Sequence, residues 1–291
     1  MAEHVLITGA AGKTGRAAAG TLLAQGHRVR ALVHRSDERS ERLAVAGAEV
    51  VVGDLLDLDA VVGATRGVDS VYFAYPIVPG LVEAAAILLE AAEENGVGAI
   101  VAMSQISARR DAASNAARQH WITERLLDHF SGGITHLRPT LFAEWLFTFF
   151  NGSTGEIRLP FADARHAPIA AEDLGRVIAA ILSDPGPHAG KAYPLYGAVE
   201  LDYRQIAAAM GDTLGRQVTY VPIEIDELVA KLEQLGMNPH FIQHMGHLAV
   251  DYREGVLAGT NDVVRTLTGV EPMTVSAFVD QNKQVFERPA A

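Results

Sequence analysis

The sequence predicts an α/β protein, a doubly wound parallel sheet of Rossmann type followed by a smaller, mostly helical C-terminal lobe. Three observations predict it. Apolar strand-like runs alternate with Ala- and Leu-rich helical runs through the first half. A glycine triad separates the first strand from the first helix, and the alternation breaks down after Pro139. Strands covered on both faces read as continuous apolar runs, and short right-handed crossovers wind such strands into one sheet.

The strand candidates are "HVLIT" (4–8), "RVRALV" (28–33), "AEVVV" (48–52), "SVYFAY" (70–75), "AIVAMS" (99–104) and "ITHLR" (134–138). Helical stretches 13–25, 37–46, 57–65, 80–95 and 112–130 separate them. Beyond Pro139, "GEIRLP" (155–160), "KAYPLY" (191–196) and "VTYVPI" (218–223) stand isolated among helices 171–183, 202–214, 226–235 and 239–257. The expected division is a dinucleotide-binding Rossmann domain over 1–150 and a substrate-binding lobe over 151–291, with room for elements of the two to interleave. The lobe is expected on the carboxyl edge of the sheet, where ligands of such folds bind. In helix 112–130, Ile122, Leu126 and Phe130 mark an apolar face. Its N-terminal continuation meets Gln119 and Asn115, so amides are expected to point inward there.

"VLITGAAGKTGRAAAGTLLAQG" places Gly9, Gly12 and Gly15 between that first strand and helix. Gly9 permits the tight turn, Gly12 lets backbone amides approach a pyrophosphate, and Gly15 lets the helix pack closely. The "GKT" within it is not a P-loop, because position 7, where that motif needs glycine, is Ile. An NAD-preferring site carries an acid about 20 residues beyond the last glycine, on the ribose hydroxyl. Here that position is Arg35, beside His34. Basic groups suit a 2′-phosphate, which favours NADP(H) over NAD(H), although Arg35 also reads as a solvated charge opposite Asp37.

Composition narrows the rest. The 291 residues carry 24 basic against 35 acidic side chains, a net charge of -11, which argues against nucleic acid as a partner. No cysteine is present, so thiol chemistry and disulfides are excluded. The start "MAEHVLITGAAG" lacks a signal peptide's basic and apolar regions. The most apolar run, "LFAEWLFTFF" (141–150), falls far short of the ~20 residues of a membrane span. A cytoplasmic location is expected, with no membrane partner, and the sequon at Asn151 then has no role.

"ITGAAGKTGR", with "RALVHR", "VVGDLLD" (51–57), "HWITERLL" and "LRPTLFAEWL", resembles the NmrA-like branch of the short-chain dehydrogenases. That family includes reductases of quinones and triphenylmethane dyes alongside catalytically silent redox sensors. The resemblance continues through "IAAEDLGRVIAAIL" (169–182) and "LVAKLEQLGM", covering essentially the whole chain. It implies that Gly9 to Gly15, including Ala11, Gly12, Lys13 and Thr14, hold the pyrophosphate. It further implies that Asp54 and Leu55 border the adenine, that Phe73, Ala74 and Tyr75 border the ribose and phosphates, and that Pro139 lies near the nicotinamide. Many relatives have Arg where His34 stands, with Arg35 displaced by one position.

The larger departure concerns proton chemistry. Short-chain dehydrogenases typically use a Tyr-x-x-x-Lys pair, whose phenol passes a proton to a carbonyl. The four lysines here, Lys13, Lys191, Lys231 and Lys283, never stand four residues after a tyrosine. By alignment to the family pattern, Asn115 and Gln119 take the Tyr and Lys positions, leaving Gln119 a neutral donor to the nicotinamide ribose. Ser104, where the parent family keeps a catalytic serine, either orients a carbonyl or caps a strand end. His120 and Glu124 read as an i,i+4 ion pair or brace.

Phe142, Trp145 and Phe149 form either a core helix or a flat hydrophobic substrate pocket, with Tyr75 and Gln105 lining the same cleft. His240, His244 and His247 share a helical face, but Phe241 replaces the glutamate of the zinc motif, so no metal is expected and His244 is left as a candidate proton donor. Hydride addition to a quinone, a dye cation or an iminium needs little or no concerted protonation, which favours already electrophilic acceptors of quinone, imine or activated-carbonyl type. An NADPH-dependent oxidoreductase acting on an electrophilic aromatic or conjugated small molecule is therefore expected. A non-catalytic NADP(H) sensor is the alternative, and a homo-oligomer is left open.

Overall fold

The computed structural model describes residues 3–287. The first half alternates strictly: β1 (His4–Ile7), α1 (Lys13–Ala24), β2 (Arg28–Val33), α2 (Glu38–Val45), β3 (Glu49–Val52), α3 (Leu58–Thr65), β4 (Ser70–Phe73), α4 (Leu81–Glu94), β5 (Ala99–Met103), α5 (Asn115–Leu127) and β6 (Gly133–Pro139). A 3-10 turn (Ala143–Trp145) then leads into α6 (Leu146–Phe149), β7 (Phe150–Asn151), β8 (Glu156–Leu159) and β9 (Arg165–His166). The remainder holds α7 (Ala171–Ser183), β10 (Lys191–Leu195), β11 (Leu201–Asp202), α8 (Tyr203–Leu214), β12 (Thr219–Pro222), α9 (Ile225–Gln234), α10 (Pro239–Arg253), α11 (Val263–Thr268), α12 (Val275–Gln281) and α13 (Lys283–Phe286).

Seven strands form one sheet in the order β10-β6-β5-β4-β1-β2-β3, every pairing parallel. Parallel strands need crossover helices, and these cover both faces, which is why Val5, Leu6 and Ile7 have no accessible surface. On one face α1 and α7 pack over Ile7, Tyr72 and Val101; on the other α3 to α5 pack over Leu6, Val71 and Ile100. Strand order reverses between β1 and β4, so a crevice opens above their carboxyl ends.

The C-terminal lobe is mostly helical and has its own core around Phe161, Tyr203, Tyr220 and Tyr252. Residues 191–196 do not stand isolated as the sequence pattern suggested. β10 joins the central sheet beside β6, with Lys191 opposite Thr135 and Leu195 opposite Pro139. The helix before it, α7, lies on α1. Small residues make that approach close: a Cβ at Gly175 would sit 2.5 Å from Ala17 Cβ. Chain beyond residue 150 thus completes the sheet and its helical cover.

Helix α5 also turns differently from its apolar pattern. Its buried face is Ala116, Ala117, His120, Thr123, Glu124 and Leu127, while Asn115 is exposed and Ile122 is 40% exposed. Packing against both α4 and α10 sets this rotation, and a partner on β6 supplies the charge that lets Glu124 face inward. Among the described residues no helix is long and apolar enough to cross a membrane.

The close α1–α7 approach has a measurable consequence. Gly175→Ala forces a methyl group against Ala17, and overpacking of this kind costs about 1–3 kcal/mol. A urea unfolding curve for the variant is expected to shift to lower midpoint by that amount; an unchanged midpoint would show that α7 can back away freely.

Candidate active site

The crevice begins at the glycine turn. Gly9 has φ 58°, a left-handed conformation suited to glycine, and its carbonyl accepts the Gly12 N–H at 2.8 Å. A Cβ at Gly15 would lie 2.5 Å from Gly9 O, so any side chain there opens the turn. Below it, Thr14 Oγ1 and the buried Tyr72 hydroxyl are 2.9 Å apart and tie the start of α1 to β4. Gly12 caps α1 with no side-chain bond, and no acid occupies its first turn. The first N–H groups of the helix are therefore left for an anion, which fits a dinucleotide pyrophosphate.

Next to β2, Asp37 is fully engaged. It caps α2 through the Arg39 and Ser40 N–H groups and pairs with the Arg39 guanidinium at 2.6 Å. The Arg39 bond holds its pKa down at about 2. Arg35, 76% exposed, keeps only a 3.9 Å approach to the same carboxylate, and His34 lies 3.8 Å from Asp54. Asp37 and Asp54 thus both lie near the end of β2, with Asp37 committed to Arg39 and the cap of α2 and Arg35 largely exposed beside it.

Inward from the turn, a cavity of about 320 Å³ lies over the carboxyl ends of β4, β5 and β6. Lys13, Thr14, Ala74 and Tyr75 form one side; Met103, Ser104, Gln105, Pro139, Thr140 and Phe142 form the floor. Trp145, His120 and the α10 residues His244, Met245 and Leu248 close it. Phe149 and Phe241 stack on Trp145 at 5.6 and 5.8 Å between ring centroids, and the Lys13 ammonium lies 5.6 Å from the Trp145 ring. Burial lowers the Lys13 pKa, against the opposing pull of Glu144.

The hydroxyls of this cavity are already committed. Ser104 Oγ donates to Glu124 Oε1 at 2.6 Å, and Arg138 grips the same carboxylate through Nε at 2.8 Å and through Nη2. Burial alone would raise the Glu124 pKa, but the bonds from Arg138 and Ser104 outweigh it and hold it below its ordinary value. Thr140 Oγ1 donates to Leu257 O at 3.1 Å, Tyr75 to Pro79 O at 3.2 Å, and Ser107 to Gln105 Oε1 at 3.2 Å. What remains to face a ligand is the Lys13 ammonium, the Gln105 amide and the rings of His120 and His244. Burial pushes both histidines down to about 4, so both are neutral near pH 7.

Several residues singled out in the sequence meet here: Lys13, Thr14, Ala74, Tyr75, Ser104, Gln105, Pro139, Phe142, Trp145 and His244. Others do not line the cavity. Phe73 is wholly buried in the sheet core, Phe149 supports Trp145 from behind, and Gln119 is half-buried with an unpartnered Oε1. Its neighbour His120 takes the inward place, and Glu124 pairs with Arg138 rather than with His120. Met245, Leu248 and Leu257 were not singled out, because only a fold that lays α10 across the sheet edge brings them in. His120 carried one usable signal, its place one turn before Glu124 on the helix flanking the cleft.

A dinucleotide turn, a doubly wound sheet and an aromatic cavity at the strand-order reversal define an NAD(P)-binding protein of the short-chain dehydrogenase type. The model of the NmrA-like family matches residues 1–279, and the chain belongs to that family. It is 28% identical over 286 residues to an NAD(P)H azoreductase of Xenophilus azovorans, covering 97% of this chain and 99% of that one. It is 31% identical over 276 residues to the (4-alkanoyl-5-oxo-2,5-dihydrofuran-3-yl)methyl phosphate reductase of Streptomyces griseus, covering 91% and 93%. The fold is also that of the NADPH-dependent quinone oxidoreductase QOR2 of Escherichia coli complexed with NADPH, at TM-score 0.83, 23% identity and coverage of 96% and 99%. The triphenylmethane reductase of Citrobacter sp. complexed with NADP(H) superposes at TM-score 0.82, with 21% identity and coverage of 95% and 99%.

The buried carboxylate gives a pH signature. Because the folded pKa of Glu124 lies below its ordinary 4.5, its stabilising effect is complete above that value and lost as pH falls further. Glu124→Gln leaves Arg138 without its charge partner and is expected to cost about 2–3 kcal/mol at neutral pH. On acidification below pH 4.5 the gap between wild type and variant should narrow, read from unfolding midpoints. A gap that stays constant into acid would mean the carboxylate is not charged in the fold.

Proposed function

We propose that this NAD(P)H-dependent oxidoreductase uses NADPH to reduce an electrophilic, aromatic or conjugated small molecule of quinone, imine or activated-carbonyl type, without a Tyr-Lys pair. The observation that carries the reading is the apolar, aromatic-walled cavity in which each hydroxyl side chain already has a partner. NADPH bound along the crevice from the glycine turn would supply the hydride. The first N–H groups of α1 would hold the pyrophosphate, Arg35 would meet the 2′-phosphate, and Pro139 at the end of β6 and Phe142 beyond it would border the nicotinamide. Trp145, braced by Phe149 and Phe241, offers a flat face against which a conjugated acceptor stacks.

The chemistry follows from what the residues cannot do. Ser104 is fixed as donor to a charged carboxylate, so releasing its proton to a substrate would leave Glu124 with one fewer bond in a buried place. An unactivated ketone, which needs an acid as hydride arrives, would forgo roughly 10²–10⁴-fold of general acid assistance. Acceptors whose own electron deficiency draws the hydride do not need it. The reductases among the relatives support this reading, and the cavity favours it over a silent sensor. We place the reaction in the cytoplasm, on a small-molecule substrate.

Two measurements test the proposal. Wild-type protein should consume NADPH with quinones, azo compounds or iminium acceptors and show no acceptor-dependent turnover with simple aliphatic ketones. Absence of turnover across the electrophilic panel would refute it. Arg35→Ala should raise KM for NADPH by about 10-fold or more, as loss of a charge-assisted hydrogen bond implies, while leaving KM for NADH unchanged. Equal effects on both cofactors would place Arg35 away from the 2′-phosphate.

A further inference from the structure

Two histidines face the cavity with no part in the chemistry described so far. His244, on α10, is 3% exposed, and its Nδ1 lies 2.8 Å from Ser114 Oγ. Ser114 caps α5 by accepting the Ala117 N–H at 3.2 Å, which leaves the hydroxyl proton of Ser114 for Nδ1. The ring proton of His244 is then on Nε2, and with Nδ1 turned to Ser114 the Nε2 edge is left for the cavity. His120, on α5, is 8% exposed and its buried Nδ1 has no partner. A buried acceptor without a donor is tolerated better than a buried N–H without an acceptor, so His120 also carries its proton on Nε2. Burial keeps both rings uncharged, holding each at about 4.

We infer that His244 and His120 form a neutral two-donor cradle for the substrate atom on which negative charge collects when hydride arrives, with Ser114 as the positioning residue. The inference rests on the reductase reading and narrows its substrate class. It selects acceptors in which hydride leaves a negative charge on oxygen or nitrogen, such as a quinone, a conjugated carbonyl or an azo group. Hydride addition to a conjugated carbonyl forms a C–H bond, breaks a π bond and moves that electron pair to the carbonyl oxygen. The nicotinamide is oxidised, the substrate is reduced, and water supplies the proton afterwards. Donors preset at that oxygen stabilise the developing charge without having to reorganise.

The loop from Ser104 to Asn115 holds this arrangement to α10 at three further points. Arg109 pairs with the buried Asp251 at 2.6 Å, Gln243 Nε2 donates to Ala113 O at 3.0 Å, and Gln243 Oε1 accepts the Asn115 N–H at 3.0 Å. The His244 ring is therefore fixed from both its own helix and the opposing loop.

The test compares acceptors that gain charge with one that loses it. His244→Phe keeps a planar ring and removes the donor. It should lower kcat with a quinone by about 10²-fold, the effect of deleting one such donor. It should lower kcat with a triphenylmethane dye cation, which is neutralised by hydride, by a much smaller factor. His244→Gln, which restores an N–H, should recover part of the loss, and Ser114→Ala should give a smaller loss of the same selectivity. NADPH affinity and the unfolding midpoint of each variant report whether the fold is intact. A readout independent of turnover is the pKa of bound para-nitrophenol, followed by its phenolate absorbance with the oxidised cofactor in place. The wild type should lower it relative to solution, and His244→Phe should not. Equal losses on quinone and dye, or an unshifted phenol in the wild type, would overturn the cradle. If the wild type reduces neither acceptor the reductase reading fails, while the phenol titration still decides whether the cradle exists.

Discussion

Everything at the cavity floor depends on the Glu124 carboxylate. It is 1% exposed, sits on the inward face of α5, and is bound by Ser104 at the end of β5 and by Arg138 on β6. A buried charge of this kind is tolerable only with full hydrogen bonding, so the three elements cannot shift independently. The carboxylate sets the rotation of α5, which brings His120 inward and turns Asn115 outward. It also sets the position of Pro139, next to Arg138, in the floor of the cavity.

The same interaction fixes the chemistry. In the wider dehydrogenase pattern a hydroxyl at the end of the fifth strand is free to serve a substrate; here it serves Glu124. Structural demand and proton donation compete for one group, and the geometry assigns it to structure. What faces the ligand is apolar or aromatic surface, one ammonium, one amide and two neutral imidazoles. Such a wall suits the flat conjugated acceptor proposed for it, and its hydroxyl side chains already have partners.

Much of the fold was legible in the sequence because local signals agreed with each other. The glycine triad, the apolar strands and the Ala-rich helices all specify one β-α alternation, and Gly15 has a steric reason that spacing alone suggests. The place of residues 191–195 was not legible, since their pairing partner lies over 50 residues earlier and a strand of alternating polar and apolar residues reads as a half-exposed element of either lobe. Helix α5 misled for a related reason. Of its expected apolar stripe Phe130 is buried and Leu126 packs against the core, but Ile122 is exposed, because Arg138, unseen in the helix itself, lets Glu124 take an inward place. On the site, the turn and the aromatic segment were readable from position along the alternation. The α10 wall and the pairing of His244 with Ser114, 130 residues apart, exist only once the lobe is folded over the sheet edge.

The central claim is that hydride reaches the acceptor without a proton moving in the same step. Isotope effects on quinone reduction measure this directly. Deuterium at the transferred position of NADPH should slow the reaction, and heavy water should not slow it further. A solvent isotope effect that multiplies the hydride effect would show both hydrogens in flight together, and would contradict a site whose hydroxyls are all committed elsewhere.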